Sequence, residues 1–158
     1  MKKNIVLFTI CFGLFSFLAC GNTAGFQTNQ TGEETTMNQK YFYVTAGGQT
    51  FQADFAGNSS AEAFKDLLAK GNLTITMSDY GNFEKVGNLG TTLPRNDTRI
   101  TTSPGDIILY QGSSITIYYD TNTWSFTRLG KINGVTREEL LSALGKGSVQ
   151  VTFSLERP

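Results

Sequence analysis

A two-residue alternation of apolar and polar side chains runs through most of the chain from residue 40 to residue 158. It is clearest over residues 148–155, where no proline or glycine interrupts the run, and residues 50–55 and 73–78 repeat it. Successive side chains of a strand point to opposite faces of a sheet, so these segments are predicted to be strands with one buried face. We therefore expect a mainly β domain.

Two pairs of strands are predicted to form hairpins. Residues 106–110 and 115–119 flank a short connection that contains Gly112, and residues 41–46 and 50–55 are joined through Gly47 and Gly48. Glycine adopts the positive φ angles of tight hairpin turns without steric cost. Each pair should be antiparallel, and residues 124–128 supply a further short strand.

Two segments carry the signals of short helices. Ser59 and Thr136 each precede a glutamate by three residues, which is the capping-box spacing, and Gly71 and Gly145 follow as stops. Seven or eight strands with two such helices predict a closed or nearly closed antiparallel β-barrel whose open ends the helices cover. A two-sheet sandwich is the alternative.

The first 20 residues indicate where in the cell the protein is located. Lys2 and Lys3 precede an apolar run over residues 5–19, which is shorter than the roughly 20 residues of a membrane span and suits a signal peptide. The run ends at Ala19-Cys20, which resembles a bacterial lipobox. We expect a signal peptide over 1–19, lipid on Cys20, a polar linker over 20–39, and a folded domain over 40–158 anchored to a membrane of the bacterial cell envelope. An ordinary cleaved signal peptide is the alternative.

Composition excludes several classes of function. The sequence has no histidine, and its 13 basic residues balance 13 acidic ones, so a nucleic acid partner is not expected. Its two cysteines are Cys11 and Cys20, both outside the predicted domain. No metal site, cofactor or catalytic residue is predicted. Glu84 and Lys85 would face opposite sides of a strand and are interpreted as members of solvated cross-strand ion pairs.

A cluster of aromatic residues is the best candidate for a binding site. Amphipathic rings favour surfaces that are apolar at one end and wet at the other. We predict a pocket bounded by Tyr110, Tyr119, Trp124 and Arg128 that takes a small molecule or peptide, with the polar loop over 94–103 suited to act as a lid. The alternative is that three rings of the aromatic cluster fill the barrel core and two lie under that loop; the cluster consists of Tyr110, Tyr118, Tyr119, Trp124 and Phe126.

The order of motifs resembles the bacterial cyclophilin-like domain. It is carried by the Ser-Ala-Glu-Ala-Phe helix, Leu93-Pro94, the run over 104–110, the run over 126–132 and the valine-rich last strand. The resemblance implies a small cyclophilin-type β-barrel and supplies no catalytic residues. Of the cyclophilin catalytic motif only Gly105-Asp106 is present, and the nearest arginines, Arg95 and Arg99, lie in a polar loop.

The expected function is therefore a non-catalytic binding or interaction module on a cell-envelope lipoprotein. A peptidyl-prolyl isomerase, or another enzyme with a site that lacks histidine, is the rival hypothesis. Packing against other envelope proteins is a third, and it would require an extended apolar surface patch.

Overall fold

The computed structural model describes residues 38–158. The predicted signal peptide, the lipid attachment at Cys20 and nearly all of the linker lie outside these residues. Within them the chain forms nine strands and two helices: β1 (Tyr41–Ala46), β2 (Gln49–Phe55), α1 (Ser59–Ala69), β3 (Leu73–Tyr80), β4 (Glu84–Asn88), β5 (Thr98–Thr101), β6 (Asp106–Tyr110), β7 (Ser114–Tyr118), β8 (Thr123–Ile132), α2 (Arg137–Leu144) and β9 (Ser148–Ser154).

Eight of these strands close into an antiparallel barrel. Their order around the wall is β2-β1-β9-β3-β4-β7-β6-β8, and β8 pairs back onto β2 through Ala53 with Ile132 and Phe55 with Gly130. The predicted closed barrel is confirmed, and the sandwich alternative is wrong. β5 is outside this ring, because its pairing runs along the first part of β8.

The barrel interior is filled mainly by aromatic and branched aliphatic side chains. Phe64 of α1 packs edge-on against Phe42 of β1 and Phe153 of β9, with ring centroids 5.6 and 5.8 Å apart. Leu140 and Leu144 of α2 join the same core. Since α1 packs near the start of β1 and α2 lies against Gly47 just after its end, the two helices cover opposite ends of the barrel.

The sequence predicted the N-terminal capping residue correctly for α2 but not for α1. In α2 the capping box is present, with Glu139 N donating to Thr136 Oγ1 over 3.2 Å and Thr136 N donating to Glu139 Oε2 over 2.8 Å. In α1 the cap is Asn58, whose Oδ1 accepts from Ala61 N at 2.9 Å. An amide oxygen one residue earlier thus replaces the predicted serine cap.

A lysine is buried inside the barrel. The Lys85 side chain on β4 is fully buried, with Nζ 2.9 Å from Asp79 Oδ1 and 2.6 Å from the carbonyl oxygen of Gly147. Burial opposes ionisation of Asp79, but hydrogen bonds from Lys85, the Gly147 amide and Tyr119 together lower the pKa of Asp79. The prediction that Lys85 is solvated is wrong, because its charge is compensated within the fold.

Closure of the barrel depends on a glycine. A Cβ at Gly130 would lie 2.6 Å from the carbonyl oxygen of Asp54 and 2.7 Å from Cε1 of Phe42. Since both neighbours are fixed in the closing strands, we expect Gly130→Ala to lower the free energy of unfolding by about 2 kcal/mol, as overpacking of a core does. Chemical denaturation followed by circular dichroism measures this.

Gly57→Ala is the matched control. A Cβ at Gly57 meets no atom within 4 Å, so the change in unfolding free energy should stay below about 0.5 kcal/mol. Equal denaturation midpoints for the two variants would show that the β2–β8 seam tolerates a side chain.

Candidate functional site

The outer face of the barrel wall carries a second apolar cluster, separate from the core. Ile108 of β6, Tyr118 of β7 and Phe126 of β8 are buried there, and Phe83 and Ile100 pack against them. Their strand neighbours, such as Ile107 and Ile117, point into the barrel instead. The outer face is covered because β8 continues beyond the ring and β5 pairs with that extension, which places Ile100 beside Trp124.

A cleft of about 360 Å³ opens over this cluster. That volume lies within the roughly 300–1,000 Å³ of small-molecule sites. Its lining comes from the end of β3, the turn before β4, the strands β4, β6, β7 and β8, and the connection before β8: Tyr80, Phe83, Glu84, Val86, Tyr110, Thr116, Tyr118, Asn122, Trp124 and Phe126.

Aromatic side chains form both the rim and the floor of the cleft. Among the described residues the large hydrophobic side chains exposed to solvent are Tyr41, Tyr80, Tyr110 and Trp124, and all except Tyr41 line the cleft. Trp124 is 61% exposed. Below the rim the rings of Phe83 and Tyr118 lie nearly parallel, with centroids 6.0 Å apart. The unusual exposure of apolar surface is therefore concentrated at one place on the barrel.

A buried carboxyl group lies among these rings. Glu84 is only 7% exposed, and its Oε2 receives no well-aligned hydrogen bond from any residue between 38 and 158. The hydroxyls of Thr116 and Tyr118 lie beside the carboxyl, and Thr116 Oγ1 is also buried without a well-aligned partner in that part of the chain. Native proteins pair nearly all buried polar atoms, so a buried carboxyl with poorly aligned hydrogen bonds in an aromatic cleft is typical of a site that a ligand completes.

The electrostatics of the cleft follow from this burial. Burial raises the pKa of Glu84; the hydroxyls of Tyr118 and Thr116 lie near enough to oppose the rise, but neither gives Oε2 a well-aligned hydrogen bond. Burial and the adjacent Glu84 carboxyl also raise the pKa of Tyr118. The prediction that Glu84 belongs to a solvated cross-strand ion pair is wrong, since its side chain is buried and no lysine or arginine lines the cleft beside it.

The structure brings together two of the four residues predicted to form a pocket. Tyr110 and Trp124 line the cleft. Tyr119 is buried in the core, where its hydroxyl donates to Asp79 Oδ1 over 3.2 Å and burial raises its pKa to about 12. Arg128 has its Nε 3.0 Å from Oδ1 of the buried Asp106. Tyr119 and Arg128 are therefore not part of this lining, and a role in binding for any of the four stays a prediction.

The segment expected to act as a lid is fastened to the barrel. Within residues 94–103 the chain forms β5, which the sequence did not predict. Asn96 Oδ1 accepts from Ser60 N at 3.1 Å, and Asn96 N donates to Thr127 Oγ1 over 2.8 Å. No residue of the segment lines the cleft described above. These bonds hold the segment to α1 and β8, so the expectation of a lid has no support in its contacts.

These features define a class of protein: a small antiparallel barrel whose ends are covered by two helices and whose outer wall carries a cleft. A family model described as the cyclophilin-like family matches residues 44–154, and the chain belongs to that family. Its fold is similar to the solution structure of the hypothetical protein AF2241 from Archaeoglobus fulgidus, with a TM-score of 0.55, 10% identity, and coverage of 75% of this chain and 95% of that one. No curated protein matches the sequence significantly.

Between residues 38 and 158 the chain has no helix with the length and apolar character needed to cross a membrane. This part of the chain also has no group of three or more acidic or cysteine side chains placed to hold a metal ion.

The raised pKa of Glu84 makes stability depend on pH in a defined direction. The folded state holds this proton more tightly than the unfolded state, so Glu84 lowers the unfolding free energy as pH rises from the unfolded pKa through the folded one. Glu84→Gln removes that loss. We expect the variant to gain stability relative to the wild type as the pH is raised from about 4.5, the ordinary glutamate value, toward neutrality, measured by urea denaturation at each pH.

The quantity compared is the difference in unfolding free energy between the variant and the wild type at each pH. Taking this difference cancels the effect of carboxyls with lowered pKa, such as Asp79 and Asp97, which stabilise the fold as the pH rises. Glu156→Gln, at an exposed position outside the cleft, is the control and should show no such trend. A constant difference for Glu84→Gln across this range would mean that the carboxyl titrates as it does in the unfolded chain.

Proposed function

We propose that this protein is a bacterial cell-envelope lipoprotein whose cyclophilin-like domain binds a small molecule or a peptide side chain in the aromatic cleft, without catalysing a reaction. The observation that carries the proposal is the combination, in one cleft, of an exposed aromatic rim with a buried carboxyl group that has no cation beside it in the lining. Apolar walls supply affinity and a few polar atoms fix orientation, which is the usual construction of a ligand site.

The absence of catalysis is inferred from the content of the cleft. Among the lining residues Glu84 is the single acidic one, and the described chain places no lysine or arginine beside it there. Acid–base or nucleophilic catalysis commonly relies on a second group that activates or orients the first. One carboxyl in an aromatic cleft suits recognition better.

Prolyl isomerisation is the rival function, and family membership is what favours it. Such an enzyme must lower a barrier of about 18 to 20 kcal/mol, and cyclophilins are understood to do so with an arginine that hydrogen-bonds the amide. Here the arginine nearest to the cleft along β8 is Arg128, which is engaged by Asp106. The rival requires prolyl-peptide isomerisation above the uncatalysed rate and loss of that rate in Arg128→Ala.

Anchoring to a membrane is inferred from the N-terminal sequence. Lys2 and Lys3, the apolar run and Ala19-Cys20 together have the form of a lipoprotein signal. More than one acyl chain is needed for lasting attachment. The polar linker that follows would let the domain reach about 25 Å from the anchor, taking 5 to 6 Å times the square root of its length.

Binding in the cleft can be followed without a label, because Trp124 is the one tryptophan of the sequence. We expect some members of a library of small fragments and blocked dipeptides to change Trp124 emission and to shift the amide resonances of β4, β7 and β8. Tyr110→Ala should weaken those binders about tenfold, as loss of an aromatic contact of 1 to 2 kcal/mol does.

Tyr41→Ala is the matched control, since Tyr41 is 40% exposed and Tyr110 39% exposed, yet Tyr41 is outside the cleft. Its affinities should equal those of the wild type. If every binder shifts resonances elsewhere on the barrel and is insensitive to Tyr110→Ala, the cleft is not the binding site.

Lipid attachment is tested at Cys20. We expect the full-length protein, expressed in a bacterium, to incorporate labelled palmitate and to sediment with membranes, and Cys20→Ala to do neither, because the thiol that carries the lipid is gone. Cys11→Ala, within the predicted signal peptide, should behave as the wild type. Palmitate labelling that survives Cys20→Ala would refute the anchor.

A further inference from the structure

A buried carboxyl group with poorly aligned hydrogen bonds calls for a ligand that donates to it. Glu84 Oε2 and Thr116 Oγ1 are both buried, and neither has a well-aligned hydrogen bond within the described chain, although the Thr116 and Tyr118 hydroxyls lie beside the carboxyl. Their strands are neighbours, with Glu84 paired to Tyr118 and Val86 paired to Thr116 in the β4–β7 register. Both side chains line the same cleft. A ligand with N–H groups would satisfy acceptors that otherwise leave a buried polar atom unpaired, which is costly.

The charge of the cleft points to a positively charged donor. Glu84 is the one lining residue, among those described, that carries a full charge when ionised near neutral pH. Three cations on nearby elements are engaged by carboxylates: Arg128 and Lys131 lie 3.0 and 3.5 Å from Asp106, and Arg137 lies 3.0 Å from Asp120. Arg99 of β5 is not among the lining residues. On the inner face of β4, Lys85 is paired with Asp79. A cation entering the cleft would therefore meet an uncompensated carboxylate.

The aromatic lining favours the same chemistry. Faces of tyrosine and tryptophan rings attract ammonium and guanidinium groups, more strongly where water is excluded. Tyr80, Tyr110 and Trp124 surround the entrance, and Phe83 and Tyr118 lie beneath. A site for an anion would instead need basic side chains or clustered backbone amides.

We propose that the cleft selects an organic cation with N–H donors, a primary ammonium or guanidinium group on a short apolar stem, held between the aromatic rim and the Glu84 carboxylate. This proposal rests on the proposed function, because it names the ligand class of the same cleft. The cation can be a free small molecule or a basic side chain of a peptide, since both present the same group.

The test compares two ligands that differ in charge and little in shape. Nα-acetyl-arginine methylamide and its citrulline analogue both carry N–H donors, but the guanidinium is charged and the urea is neutral. Titration followed by Trp124 emission should show the arginine compound binding at least about tenfold more tightly, as a charge-assisted hydrogen bond predicts. Propylguanidine tests whether the ligand is a free cation. Affinity equal to that of the arginine compound indicates a free small molecule, and weaker binding indicates a basic side chain of a peptide.

Three variants assign the effect. Glu84→Gln should reduce the arginine-to-citrulline preference to within about twofold, because it removes the charge while keeping the shape. Thr116→Val keeps the side-chain volume and removes the hydroxyl, so it should weaken arginine binding without changing the preference for arginine over citrulline. This variant keeps the test valid if Glu84→Gln misfolds. Glu156→Gln should change nothing. Near-ultraviolet circular dichroism verifies each fold.

The outcomes separate this proposal from the proposed function. Citrulline binding as tightly as arginine in the cleft, or fragments that bind there while arginine does not, would overturn cation selection and leave the binding function standing. A preference that survives Glu84→Gln would overturn the role of the carboxylate. Failure of every compound to perturb the cleft would overturn both proposals.

Discussion

The pairing of β8 with β2 is the contact on which the rest of the structure depends. It turns an open sheet into a ring, so that no strand of the barrel keeps an unpaired edge. The seam is narrow, because a backbone carbonyl of β2 and the ring of Phe42 occupy the space where a Cβ at position 130 would lie. Once the ring is closed, each strand has one face committed to the core, and every further feature must be built on the outside of the wall.

The cleft follows from the length of β8. This strand has ten residues, more than its barrel partners use, and its register against β6 shifts between Ile107 and Ile108. Such irregularities bend a strand and re-aim its side chains. The part of β8 beyond the shift carries Phe126 and Trp124, and β5 pairs along it. Shortening β8 would remove both the cover that β5 provides and one aromatic wall, without opening the barrel.

The sequence predicts the barrel well because the strands with one buried face have strict alternation, and the hairpin and capping residues are local signals. The burial of β4 escaped prediction, although Glu84 and Lys85 were placed on a strand, because its inward positions are Lys85 and Gly87, which do not look like core residues. β5 escaped because it has four residues, of which Ile100 alone is apolar. Tyr110 and Trp124 were identifiable as aromatic residues near turns. Glu84 was not, because a glutamate next to a lysine has the pattern of a solvated pair, and its burial arises from Phe83 and β7 packing around it.

Glu84 and Lys85 show how one strand can carry opposite charges without neutralising them. Their side chains lie on opposite sides of the barrel wall, and Lys85 is already compensated inside by Asp79 and the carbonyl of Gly147. Compensation for Glu84 therefore has to come from the cleft side, where the described chain offers hydroxyls and rings but no cation. Burial raises the pKa of this carboxyl, because the charged form loses solvation in the cleft. A bound cation would favour the ionised form, so binding in the cleft and ionisation of Glu84 are coupled by the same desolvation.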